Sequence, residues 1–96
     1  MANVNVKIKV TTSAKKAYVC GSTKNLGEWD AKKAVAVENG EVTKQFEAGE
    51  VVEFKVLAGK TWDKVEKGAN FEEVANHSFV ASKGLVVEVC VENFNK

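Results

Sequence analysis

Ninety-six residues, 45% hydrophobic and 28% charged, describe a chain able to bury a core, since such a length removes roughly two-thirds of its unfolded surface from water. The formal charge of +1 comes from 14 basic and 13 acidic residues spread along the chain, and every basic residue is lysine. That balance provides no field for a phosphate backbone and no guanidinium to read bases, which argues against nucleic acid, and no apolar run approaches a membrane span.

Residues 4–10 alternate strictly, with Val4, Val6, Ile8 and Val10 on one side and Asn5, Lys7 and Lys9 on the other, the period of a half-buried strand. A polar break from Thr11 to Lys16 precedes a second strand over Ala17 to Gly21. Gly21-Ser22-Thr23-Lys24-Asn25-Leu26-Gly27-Glu28-Trp29-Asp30 then reads as a polar turn that carries a tryptophan to the surface, because Trp29 stands between two carboxylates. Asp30 to Lys33 has the form of one helical turn capped by Asp30, before the chain extends again at Val35 to Val37.

Asn39-Gly40 is the strongest turn signal, since both residues accept positive φ, and it predicts a hairpin joining Ala34-Glu38 to Val42-Ala48. Ala48-Gly49-Glu50 turns into a central strand over Val51 to Leu57, where Val52, Phe54 and Val56 oppose Val51, Glu53 and Lys55. Ala58-Gly59-Lys60 turns into Thr61 to Glu66, and Lys67 to Asn70 opens a longer loop carrying Phe71 and the acidic pair Glu72-Glu73. Asn76 to Val80 resumes as a strand, and Leu85, Val87, Val89 and Val91 mark one face of the last. Seven to eight short strands at intervals of about ten residues, with Gly turns and no βαβ unit, predict an all-β antiparallel β-sandwich of immunoglobulin-like form, read as a single domain over 1–96.

Cys20 and Cys90 both lie in apolar runs and read as two separate buried thiols, a disulfide requiring neighbouring strands. His77 is the one histidine and no Cys-x-x-Cys occurs, so neither a metal nor another cofactor is expected. Tyr18, Phe46, Phe54, Phe71 and Phe79 read as core or hairpin packing. Catalysis is not expected: glycoside hydrolysis needs two carboxylates about 5 to 9.5 Å apart, and Glu72-Glu73 are strand neighbours that face opposite ways.

Taken in order, Gly21-Ser22, Leu26-Gly27-Glu28-Trp29-Asp30, Glu53-Phe54-Lys55-Val56, Trp62, Glu66 and Asn76 resemble the starch-binding domain, the family 20 carbohydrate-binding module, from about Lys15 to Val91. The resemblance implies non-catalytic binding of an α-glucan (starch, glycogen or maltooligosaccharides) on two tryptophan faces, with a lysine and an asparagine bonding sugar hydroxyls. Trp29 falls on the first platform tryptophan, Lys55 on the lysine and Asn76 on the asparagine, which is followed by His77 where the family usually has arginine. The second platform tryptophan normally precedes a glutamate directly; here Trp62 precedes Asp63 and lies fourteen positions before Asn76. Either an extended loop still presents Trp62, or Val65-Glu66 occupies the motif and the ring reaches in from the adjacent turn. We carry forward Trp62 as a ligand contact with Glu66 nearby. The family's second site falls near Ser13 and at Gly40 or Glu41, where no aromatic stands, so one sugar site is expected.

Such a module is expected to be attached to, or to act with, a glycosidase or a glycogen-directed enzyme. Met1 and the lack of a signal-peptide h-region favour a cytoplasmic setting, which a module excised from a larger extracellular enzyme would mimic. The alternative is an immunoglobulin-like protein-interaction module in which Trp29 and Trp62 anchor a protein partner.

Overall fold

The structure, a computed structural model, describes residues 3–12 and 14–94. Ser13 therefore lies outside the described residues. Among the described residues, nine strands and three single-turn 3-10 helices make it all-β: β1 (Asn3–Thr12), β2 (Tyr18–Gly21), β3 (Val35–Ala36), β4 (Glu41–Glu47), β5 (Val51–Leu57), β6 (Glu66–Lys67), β7 (His77–Val80), β8 (Val86–Val91) and β9 (Asn93–Phe94). They form a three-stranded sheet ordered β4-β1-β8, a four-stranded sheet ordered β3-β2-β5-β7 and a small β6-β9 pair.

The alternation read from the sequence decides which side chains enter the sandwich. Val6, Ile8 and Val10 of β1 are buried, as are Val52, Phe54 and Val56 of β5, while Asn5, Lys9, Val51 and Glu53 turn outward. These inward faces join Val19, Val42, Val89 and Val91 in one core. Phe79 links the sheets, edge-on to Phe46 at 5.4 Å and tilted against Phe54 at 6.0 Å between ring centroids. Phe71 is no part of this core; it is 48% exposed in the loop before β7.

Two pairings depart from the expected pattern. Asn39 and Gly40 adopt φ of 54° and 77°, and Glu38 and Glu41 exchange backbone hydrogen bonds at 3.1 and 3.0 Å, so the turn forms as expected. The hairpin does not continue, because Val37 N–H donates to the Ala17 carbonyl at 2.9 Å and draws β3 onto β2, while β4 pairs with β1. The turn is a corner between sheets. The last long strand also differs, for β8 runs parallel to β1, with Ile8 opposite Val87 and Val10 opposite Val89. All other strand pairs are antiparallel among the described residues.

β2 and β8 lie in different sheets, and both cysteines are free. Cys20 is buried as expected, but Cys90 is exposed, since it alternates with the inward Val89 and Val91.

Candidate functional site

The site is built on the outer face of the four-stranded sheet. Cys20 on β2 pairs with Lys55 on β5, so their side chains share the face opposite Val19, Phe54 and Val56. Cys20 is nonetheless fully buried, because the segment after β2 folds back over it: Cys20, Ala31, Ala34 and Leu57 form a second, smaller apolar cluster with Tyr18 and Val65 at its margin. Burial raises the Cys20 thiol above its ordinary pKa, the negative charge of Asp30 adds to the rise, and a hydrogen bond from the Trp29 backbone offsets part of it.

The folded-back segment is held by a dense set of backbone bonds. Leu26 is buried in the first 3-10 turn, Lys24–Leu26, and Gly27, Glu28 and Trp29 follow with φ of 89°, 49° and 65°. Three successive left-handed residues, two of them not glycine, cost strain that the surrounding bonds must outweigh. They include Gly27 N–H to Lys24 O at 3.1 Å, Glu28 N–H to Thr23 O at 3.0 Å and Trp29 N–H to Gly21 O at 2.9 Å. Asp30 then caps the turn Ala31–Lys33 by accepting from Lys32 N–H at 3.0 Å, as its position predicts. Gly21 is needed for close approach, since a Cβ there would lie 2.5 Å from the Glu53 carbonyl oxygen and 2.8 Å from Leu26 Cδ1.

Trp62 comes from the third 3-10 turn, Trp62–Lys64, which Thr61 caps by accepting from Asp63 N–H at 3.3 Å. Its indole N–H donates to the Trp29 carbonyl at 3.1 Å, and the two rings stand 6.1 Å apart between centroids, tilted by 38°. Trp29 is half-buried and Trp62 is 38% exposed. Together with Asp30, Ala31, Lys32, Lys60 and Thr61 they line an open cleft of about 290 Å³. Lys60 also sits over the Tyr18 ring, with its ammonium 5.9 Å from the centroid.

The other residues singled out in the sequence are divided. Lys55, half-buried, and Asn76, exposed, do not line the cleft; each is the chain neighbour of the last pair of the β5–β7 ladder, Phe54 opposite His77, one position past its end. Glu66 is not brought to this face. It is 2% exposed, and its Oε1 meets His77 Nε2 at 2.7 Å. The His77 ring packs 5.1 Å from that of Phe54, on the core side of the sheet. Neither of these two buried atoms has another partner among the described residues.

Asp30, Lys32, Lys60 and Thr61 are polar groups at the cleft that the sequence reading passed over as turn residues. Their adjacency to Trp29 and Trp62 in the chain is the signal that could have marked them. Beside Gly40, the hollow bounded by Thr12, Ala14, Lys15, Val37 and Asn39 has no aromatic lining residue.

Paired apolar faces rimmed by amines, a hydroxyl and a carboxylate suit a ligand that is itself flat and apolar on its faces and polar at its edges. A family model described as a starch binding domain matches residues 1–90. Among solved structures, the fold resembles part of the glycoside hydrolase family 15 glucoamylase from Hypocrea jecorina, at 23% identity and a TM-score of 0.74, over 97% of this chain and 18% of that one. It also resembles the family 20 carbohydrate-binding module of the maltotetraose-forming amylase from Pseudomonas saccharophila STB07, at 20% identity and a TM-score of 0.61, over 93% and 99% of the two chains. The γ-cyclodextrin glucanotransferase (gamma-CGTase) from alkalophilic Bacillus clarkii matches at 20% identity and a TM-score of 0.67, over 95% of this chain and 15% of that one. No curated protein sequence matches the chain.

Proposed function

The chain belongs to the starch-binding domain family, the family 20 carbohydrate-binding modules, and from that membership we propose that it holds an α-glucan in the cleft between Trp29 and Trp62. Carbohydrate binding without catalysis is the activity of the family. The observation that carries the finer reading is the pair of indoles at 6.1 Å and 38°. A pyranose offers an apolar C–H face and a rim of hydroxyls, and a curved α-1,4 chain presents successive rings at an angle, so two tilted platforms match it better than one plane. Lys60, Thr61 and Asp30 at the rim, and Lys55 and Asn76 on the adjoining sheet face, supply hydrogen bonds to the hydroxyls. Glu66 acts from within, holding His77 and so the start of β7 beside Asn76, and does not touch sugar.

The cleft is open, and its ligand stays partly hydrated. We assign it a modest affinity, Kd ~10 µM to 1 mM, equivalent to about 4 to 7 kcal/mol. The hollow beside Gly40 lacks a ring on which to stack a sugar, which supports a single aromatic site. As this chain spans 18% of the glucoamylase and 15% of the glucanotransferase it resembles, we place it as a tethering module that acts with a glycosidase or another glucan-directed enzyme.

The test is a titration with β-cyclodextrin and maltoheptaose, followed by heat and by tryptophan emission, with Trp29→Ala as control. One-to-one saturation in the stated range, lost in the variant, is expected. No response to millimolar sugar from the folded protein would overturn the reading in favour of a protein-interaction surface.

A further inference from the structure

We propose that the sugar-binding surface continues beyond the tryptophan cleft, along the outer face of β5 and β7, to a distal apolar contact made by Val51 and Val80. The ligand is then a glucan chain of several residues lying along the strands. This extension rests on the cleft reading given above.

Val51, Glu53 and Lys55 alternate outward on β5, and the ladder sets Val51 opposite Val80 and Glu53 opposite Ser78. Along this face come three successive rows: Lys55, then a glutamate opposite a serine, then two opposed valines. The first row adjoins the Trp29 turn, because Lys55 pairs with Cys20, over which that turn folds. Lys55 and Val51 are four residues apart, about 13 Å along a strand. The rows thus form one strip leading away from the cleft.

Val51 is 66% and Val80 is 55% exposed, the two highest values among the large hydrophobic residues described. β7 is the outermost strand of its sheet, and its outward positions need only β propensity, which threonine would supply without leaving apolar surface in water. Directly opposed side chains on one face stand about 5 Å apart, so the two valines make one small apolar spot. Flanked along the strands by Glu53 and Ser78, that spot falls far short of the ~800 Å² per partner of a stable protein interface. It suits the C–H face of a single sugar ring, while Glu53 and Ser78 meet hydroxyls on the way.

The experiment compares maltotriose and maltoheptaose by calorimetry on the wild type, Trp29→Ala, the double variant Val51→Ser/Val80→Ser, and Val80→Tyr, each checked for folding by circular dichroism. The wild type is expected to bind maltoheptaose more tightly than maltotriose. The double variant should weaken maltoheptaose by about threefold to tenfold and leave maltotriose unchanged, and Val80→Tyr should strengthen maltoheptaose alone. If Trp29→Ala abolishes binding while the double variant binds maltoheptaose as the wild type does, the cleft stands and the strip is overturned. If the folded wild type binds neither sugar, the cleft reading falls and the strip with it. A wild-type dimer that the double variant dissolves, with maltoheptaose affinity unmoved, would assign the valines to a second copy and overturn the proposal.

Discussion

The indole N–H of Trp62 donates to the backbone carbonyl of Trp29 at 3.1 Å, so one wall of the cleft fastens the strained turn that presents the other. Trp62 is an anchor for that turn, and under the proposed sugar reading it is a stacking face as well. Trp62→Phe retains a flat ring but loses the donor, and is expected to weaken β-cyclodextrin binding by about fivefold, whereas Trp62→Ala should cost tenfold or more. Calorimetry on both variants separates the two tasks; equal affinity in Trp62→Phe and the wild type would show that the hydrogen bond contributes nothing to the site.

Glu66 and His77 provide a contrasting case, a pair whose facing atoms are buried away from the cleft. Glu66→Ala leaves the buried His77 Nε2 without its partner and is expected to destabilise the fold by about 1–3 kcal/mol, with Glu66→Gln recovering much of the loss by accepting from the same ring. Urea unfolding measures the stability change. Maltoheptaose affinity of the folded Glu66→Gln protein should equal that of the wild type.

The two thiols should report their different surroundings. Cys90 is exposed and Cys20 is both buried and raised in pKa. A thiol reagent is therefore expected to label one cysteine in the native protein and two in denaturant, with peptide mapping placing the first at Cys90. In the unfolded chain Cys20 ionises at lower pH than in the native fold, so at alkaline pH unfolding releases a proton there. Its contribution to stability should fall as pH rises past the ordinary thiol value of 9.0. A Cys20→Ser comparison across that range isolates the effect.

Gly21 leaves no room for a side chain, with a Cβ placed 2.5 Å from the Glu53 carbonyl oxygen. Gly21→Ala is expected to destabilise by about 1–3 kcal/mol and to loosen the Trp29 turn, whose N–H bonds the Gly21 carbonyl. Gly49→Ala serves as a comparison, since nothing lies within 4 Å of its Cβ position and only its φ of 88° opposes the change. Thermal unfolding and sugar affinity should both shift in Gly21→Ala, and sugar affinity alone should hold in Gly49→Ala.

Much of the fold was written locally. The alternation in β1, β5 and β8 assigned inward and outward faces correctly, because a strand repeats every two residues and one side of each is buried. The Asn39-Gly40 turn and the Asp30 cap were legible for the same reason, each depending on a few adjacent residues. The order Leu26-Gly27-Glu28-Trp29 pointed to the family to which the chain belongs.

Only the tertiary structure decided which strands become neighbours. Local signals state how a strand alternates but not which partner satisfies its edge, so the diversion of β3 onto β2 and the parallel seat of β8 beside β1 were invisible along the chain. The same holds for residues whose surroundings depend on register: Lys55 comes opposite Cys20, and Val51 opposite Val80, through ladders between segments more than twenty residues apart. Glu66 shows the other limit. From the sequence Glu66 reads as a residue beside the sugar contact until the fold buries it against His77, and the meeting of Trp29 with Trp62 likewise comes from two turns packing over one sheet face. Residue type and spacing therefore determined a β-sandwich with a tryptophan-bearing turn at its surface, while long-range packing decided which side chains share that surface.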